Sequence, residues 1–311
     1  MLVFSHDDFL LKDNGPNHPE RKERLISIIN SIKEIKDYKI DFKEPPKASL
    51  DVVSLVHPKG HIKKIFSLIP KKGIIGVENE PYADTMLCSK SENAILKSCG
   101  SGISAADIII KDPKKKIFCA VRPPGHHAET IRANGFCFIN NIAVTAKYLQ
   151  KEYQVKKIAI IDFDVHHGNG TQEIFYKDET IAYGSIHEFP LFPGTGAENE
   201  TGVGNIYNAP IKAGLNSKDF IKTFENKVLK FIDRFKPEII LISAGFDAHT
   251  RDPLANINLE SSDFYEITKM IVELSNIHCE GRIISFLEGG YDLVALSESI
   301  KYHLAALNGK Y

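Results

Sequence analysis

Ile158-Ala-Ile-Ile-Asp-Phe-Asp-Val-His-His-Gly-Asn-Gly170 is the stretch on which the fold turns. A short apolar run, Ile158–Asp162, leads straight into a second aspartate, two histidines and a glycine-rich turn. Such a run reads as a strand buried on both faces, the habit of parallel sheets. Similar runs occur at Lys116–Val121, Ile181–Ile186, Glu238–Ala244 and Arg282–Leu287. Longer stretches with helical spacing lie between them, at Ser91–Ile110, Ile139–Glu152, Ser217–Phe235 and Ser261–His278. In the first, Ala94, Ile95, Ile103, Ala106 and Ile110 form the expected inward stripe. Ser217 and Ser261 are expected N-caps, each shortly before an acidic residue. Alternating strand and helix predicts an α/β domain with a parallel sheet and right-handed crossovers. Functional side chains then gather just past the carboxyl ends of the strands. No repeat, linker or shift of composition divides residues 1–311, so one domain is expected.

Composition narrows the function classes. The 311 residues carry 39 Lys+Arg against 40 Asp+Glu, a formal net charge of -1. That balance argues against a strongly basic nucleic-acid binder. Cys88, Cys99, Cys119, Cys137 and Cys279 form no CxxC pair, which suits reduced thiols better than a disulfide framework. Met1–His6 shows no basic region followed by a long apolar run, and the apolar stretches fall far short of the roughly 20 residues that span a bilayer. A cytoplasmic protein without membrane or direct nucleic-acid partners is expected.

Each strand runs into a polar cluster. Val121 leads into Arg122-Pro-Pro-Gly-His126-His127-Ala-Glu129, Ser243 into Ala-Gly-Phe-Asp247-Ala-His249, and Leu287 into Glu288-Gly-Gly-Tyr291-Asp292. Residues two apart in a strand share a face. Asp162, Asp164 and His166 are therefore expected to project together where the extended geometry persists. Converging carboxylates and imidazole are costly unless a cation neutralises them. Oxygen and nitrogen donors without thiolates suit zinc or a similar divalent ion. Asp164 and His166 supply two ligands and Asp247 a third, leaving a position for water or substrate. A lone Asp-x-Asp-x-His also fits ordinary loop chemistry; four polar strand ends together favour one composite site.

In combination these motifs resemble the zinc-dependent histone deacetylase superfamily, which also holds bacterial acetylpolyamine amidohydrolases and acetoin-utilisation proteins. The likeness runs from Asn17-His-Pro-Glu20 and Arg24-Leu25 to Gly290-Tyr291, and is nearer the class II and bacterial branches than class I. It implies an arginase-like open sheet of about eight mainly parallel strands with helices on both faces. It also implies zinc on Asp164, His166 and Asp247, a donor set that serves ferrous iron as well. By the same resemblance His127 is the general base and acid, and His126 its partner. Asp162 is implied as the acceptor that orients His127, and Asn169 as the group facing His126. Tyr291 would donate a hydrogen bond to the oxyanion.

Gly135, Phe136 and Phe192 match the family's tunnel walls, and Asp84 resembles its rim carboxylate for a peptide substrate. Leu254 stands where polyamine-selective relatives carry an acidic gatekeeper. Asp162 and Ser185, with nearby backbone carbonyls, would hold potassium. Arg24 resembles an arginine beside the internal acetate pocket; a solvated helix-face charge is the plain alternative. The implied activity is hydrolysis of acetyl-lysine in proteins or peptides, with acetylpolyamine deacetylation by the same residues as the alternative. Asp247 is followed by Ala248-His249 rather than a second Asp, which argues against a dinuclear arginase-type site.

Overall fold

The computed structural model describes residues 1–77 and 84–310. Among the described residues ten strands follow one another: β1 (Leu2–Phe4), β2 (Asp41–Lys43), β3 (Ile74–Gly76), β4 (Met86–Cys88), β5 (Ile117–Cys119), β6 (Ile158–Asp162), β7 (Ile181–Glu188), β8 (Ile206–Ile211), β9 (Ile239–Ala244) and β10 (Ile283–Leu287). Eight make one sheet in the order β2-β1-β5-β10-β9-β6-β7-β8, and every neighbouring pair runs parallel. β3 and β4 pair antiparallel outside it.

The central strands are apolar because both faces are covered. β6 sets Ile158–Ile161 against Ile239–Ile242 of β9 on one side and Ile181–Gly184 of β7 on the other, all buried. Ser285 and Phe286 of β10 show the two faces. Ser285 Oγ lies 2.9 Å from His303 Nε2 on helix Leu293–Leu307. Phe286 points the other way, beneath helix Ser91–Lys111, where a Cβ added at Gly102 would fall 2.9 Å from its ring. The chain leaves β5, crosses to β6, and returns later to fill the gap with β9 and β10. The carboxyl ends of β5, β10, β9 and β6 therefore stand side by side, and these are the four strands that carry the polar motifs.

Local differences from the sequence reading have local causes. β1 and β2 are three residues each, too short for a period to declare itself. β8 contains Asn208 and Pro210 and lies at the sheet edge, where a proline is tolerated. Ser217–Phe235 is helical throughout, but Phe224–Leu229 is a π-helical segment. Phe220, Phe224, Val228 and Ile232 are all buried at a strict four-residue spacing, which overshoots a 3.6-residue turn; the wider turn keeps them on one side. The cap of that helix is Asn216, whose side chain accepts from Asp219 N, while Ser217 Oγ donates to Asp263 and lies 3.2 Å from Asn258 O. Helix Asp263–His278 starts after Ser262, and Ser261 Oγ instead donates to Glu298. Ile103 and Ile110 of the expected stripe on helix Ser91–Lys111 are only partly buried, and Ile109 is the buried residue of its last turns. Among the described residues no helix is long and apolar enough to cross a membrane.

A buried ion cluster ties the N-terminal segment to the sheet. Glu20, Arg24 and Arg122 have no exposed surface, and Lys12 is 1% exposed. Arg122 Nη2 donates to Glu20 Oε2 at 3.0 Å and Nη1 to Phe9 O at 2.5 Å; Arg24 Nη1 reaches Glu20 Oε1 at 3.4 Å. Burial disfavours the Glu20 carboxylate, but Arg122, Lys12 and Arg24 outweigh it and hold the carboxyl well below its ordinary range. Burial pushes Lys12 down to about 8. Glu20→Gln leaves three buried basic groups without their counter-charge. We expect a loss of about 3–5 kcal/mol of unfolding free energy in urea titration; a loss below about 1 kcal/mol would show that the cluster is not held by its charge.

Candidate active site

β6 ends at Asp162, and the strand geometry ends with it. Asp164 N donates to Asp162 Oδ1 at 3.1 Å and His166 N to Asp164 Oδ1 at 2.9 Å, two successive side-chain turns that curl the backbone. The expectation that Asp162, Asp164 and His166 project together is therefore corrected. Asp162 turns inward, 3.0 Å from His126 Nδ1 and accepting from Tyr183 Oη at 3.0 Å. Asp164 and His166 turn toward the end of β9 and meet Asp247.

Donor atoms of Asp164, His166 and Asp247 lie within 4.8 Å of one another, all buried. His166 Nδ1 is 3.2 Å from Asp164 Oδ1 and 3.0 Å from Asp247 Oδ2. Burial opposes a charge on His166, yet the two carboxylates hold its pKa well above that of an ordinary imidazole. Burial also opposes ionisation of Asp164, but His126, His166 and His127 hold it below the usual carboxylate range. Three donors thus demand positive charge at one point. A proton on His166 meets that demand in part; a divalent cation meets it in full. The donor set is of the type that takes zinc with one position left open. Gly289 is required here: a Cβ on it would sit 2.0 Å from Asp247 Oδ2 and 2.6 Å from Asp164 Oδ2.

The two histidines after β5 differ in their hydrogen-bond partners. Their ring centroids are 3.9 Å apart. His126 Nδ1 pairs with Asp162, and His127 Nδ1 lies 2.8 Å from Asn169 Oδ1. The sequence reading had these acceptors exchanged. Depth decides the pairing: Asp162 is a strand-end residue with no exposed surface and meets the deeper ring, whereas Asn169 opens helix Asn169–Phe175 farther out. Burial works against a charge on His126, but Asp162, Asp164 and Glu288 push its pKa up to about 10. Burial, His126 and His166 hold His127 well below an ordinary imidazole. Since an amide oxygen can only accept, His127 Nδ1 donates to Asn169, and Nε2 is left as an acceptor. Asn169 is itself oriented, its Nδ2 donating to Glu129 Oε1 at 2.6 Å.

Tyr291 follows Gly290, whose φ of +116° makes the turn at the end of β10. Tyr291 is 9% exposed, its ring centroid 6.1 Å from that of Phe136 and 4.9 Å from the Arg24 guanidinium. Burial pushes its phenol well above the ordinary value. Arg24 is buried rather than solvated: Nε donates to Gly290 O at 2.6 Å and Nη2 to Glu288 O at 2.5 Å. Phe192 is 41% exposed and stands edge-on over His127 and His166, at 5.1 and 6.4 Å between centroids. Gly135 lets the chain pass His127 closely, since a Cβ there would lie 2.4 Å from the ring. Phe136, Leu254, Asp84 and His18 line an open cavity of about 610 Å³ that neighbours Tyr291 through Phe136. Asp84 Oδ1 accepts from Thr85 Oγ1 at 2.8 Å. Ser185 lies opposite Asp162 in the β6–β7 register, with Oγ 2.9 Å from His187 Nδ1.

Two acids escaped the sequence reading. Glu288 Oε2 accepts from Gly125 N at 2.8 Å and His126 N at 3.2 Å, and burial raises its pKa to about 7. Asp252 accepts from Tyr291 N; burial first, then Asp247, raises it to about 7. Each lies in a quoted or adjoining motif, but a carboxylate that holds backbone N–H groups leaves no spacing signature.

Comparison with known proteins agrees with this geometry. Residues 18–307 match the family model described as histone deacetylase domain. A probable deacetylase of Archaeoglobus fulgidus is 35% identical over 94% of this chain and 81% of its own length. The chloroplastic histone deacetylase 10 of Oryza sativa subsp. japonica is 36% identical over 96% of this chain and 71% of its own. The crystal structure of an HDA15 HD domain superposes with a TM-score of 0.90 at 32% identity, covering 99% of this chain and 88% of that one.

Two measurements check the site. Asn169→Asp places a carboxylate on His127 Nδ1 and is expected to raise the His127 titration midpoint by at least about one unit in imidazole NMR; an unchanged midpoint would refute the assigned pairing. Loss of an outer partner costs about 10–100-fold in metal affinity. Asp247→Ala removes a donor itself and is expected to weaken zinc binding by more than that in calorimetric titration, whereas unaltered affinity would place the ion elsewhere.

Proposed function

This chain belongs to the histone deacetylase family, hydrolases of linear amides, and we propose that it removes acetyl groups from the Nε of lysine side chains in proteins or peptides. The observation that carries this reading is the placement of His126, paired with Asp162, and His127, paired with Asn169, beside the Asp164–His166–Asp247 donors. Zinc held by those three residues would supply Lewis acidity toward the amide carbonyl and lower the pKa of water. Ferrous iron fits the same oxygen and nitrogen donors.

The residues of the chain then divide the work. His127 Nε2 takes the proton of the attacking water and returns it to the departing lysine amine, with Asn169 fixing the tautomer. His126, held as a cation by Asp162, offsets the negative charge that develops on the former carbonyl oxygen. Tyr291 donates a hydrogen bond to that oxygen. Phe136 and Phe192 flank the approach, where apolar walls desolvate the lysine stem. Asp84 serves a peptide backbone at the rim. Asp162 and Ser185, adjacent across β6 and β7, would hold potassium together with backbone carbonyls, and such an ion would stiffen the loop that follows. Residues 1–311 act as one catalytic domain. The five buried unpaired cysteines favour a reducing compartment such as the cytoplasm.

Leu254 is the feature that favours lysine over polyamine, since it offers a second ammonium no counter-charge. The expected kcat/KM is higher for an acetyl-lysine peptide than for acetylspermidine or acetylputrescine. Leu254→Glu is expected to move that ratio toward the polyamine by about 2–5-fold, the worth of an exposed ion pair. A wild-type preference for acetylpolyamine would establish the alternative substrate. Tyr291→Phe is expected to lower kcat by about 10²–10³-fold; full activity of that variant would remove the phenol from the mechanism.

A further inference from the structure

We propose that Asp252 is a positioning residue for Tyr291, a reading that rests on the phenol's proposed role. Asp252 is 7% exposed and lies in the loop that leaves Asp247. Its Oδ2 accepts from Tyr291 N at 2.7 Å and its Oδ1 from Leu254 N at 2.9 Å. Its own N–H donates to His249 O at 2.8 Å, which anchors the acid to the segment just past Asp247.

The turn that carries Tyr291 has no side chains of its own to hold it at Gly289 and Gly290, so its hydrogen bonds decide its shape. Glu288 N donates to Ala244 O at 2.9 Å, Gly289 N to Asp164 Oδ2 at 2.7 Å, and Gly289 O accepts from Phe246 N at 3.1 Å. Arg24 takes the carbonyls of Glu288 and Gly290. These contacts hold the turn as far as Gly290. Asp252 holds the next amide, that of Tyr291 itself, and so sets where the side chain departs. The phenol hydroxyl lies at the far end of that side chain, and a small rotation of the backbone there displaces it most. Misplacement of a reacting group by about 1 Å costs roughly 10²-fold in rate. Two N–H donors converge on Asp252, and a carboxylate offers two acceptor oxygens where an amide offers one. Asp252→Asn therefore keeps the volume and loses one of the two bonds.

The experiment is a double-mutant cycle of Asp252→Asn with Tyr291→Phe on an acetyl-lysine peptide, together with amide hydrogen exchange across residues 283–292. Asp252→Asn is expected to lower kcat by about 10–100-fold with KM nearly unchanged, and to cost nothing further once Tyr291 is Phe. Exchange is expected to accelerate at least tenfold in the turn 289–292 and to stay the same in β10. An equal loss of kcat in both backgrounds, or unaltered exchange in the turn, overturns the proposal. If Tyr291→Phe turns over as fast as wild type, the reading of the phenol fails separately. Exchange then decides alone: acceleration confined to 289–292 upholds the hold of Asp252 on Tyr291, and its absence overturns it.

Discussion

Carboxylate charge buried at the ends of adjacent strands is the constraint on which the rest of this structure depends. Asp162, Asp164, Asp247 and Glu288 are each 1% exposed or less. Taking such groups out of water costs several kcal/mol per ion unless positive charge and hydrogen bonds replace the solvent. The fold supplies both. His126 lies against Asp162, His166 lies between Asp164 and Asp247, and backbone N–H groups from neighbouring loops point at the remaining oxygens. The same arrangement that makes the site tolerable makes it attractive to a divalent cation.

Topology concentrates these acids. β9 and β10 are late in the chain but enter the middle of the sheet, between β5 and β6. Four loops that are far apart in sequence thereby share one crevice, as expected at a point where strand order reverses. Close approach of the loops then selects residue size. Glycine is needed at 289 because two carboxylates press on it, and at 135 because the His127 ring does. Farther out, the Glu20–Arg122–Arg24 cluster reaches the same crevice from behind, since Arg24 binds the carbonyls on either side of Gly289. The chain's N-terminal segment thus supports a turn some 266 residues away.

Much of this was legible beforehand because it depends on short-range pattern. Ile158–Asp162 matched its strand to the residue, and Ser91–Lys111 and Asp263–His278 fell within two residues of their expected bounds. Asp164, His166 and Asp247 were recognisable as a candidate donor set from residue type, their place at strand ends and the family resemblance together. The three-residue strands β1 and β2 were not legible, nor was the π-helical segment at Phe224–Leu229, because none carries a period that differs from its surroundings over enough residues. Asp252 and Glu288 hold backbone amides from loops far away in sequence, and nothing local marks a carboxylate for that task.

By itself the sequence determined the parallel α/β architecture, the four strand-end motifs and the chemistry of the donors, since each follows from residue type and local periodicity. Tertiary structure alone decided which histidine meets which acceptor. Adjacent residues such as His126 and His127 have the same local environment in the chain. Only depth in the folded protein separates them, giving one a buried carboxylate and the other a neutral amide. That difference helps push the two ring pKa values in opposite directions, because the energy of a buried proton depends on its nearest neighbours in space rather than in sequence.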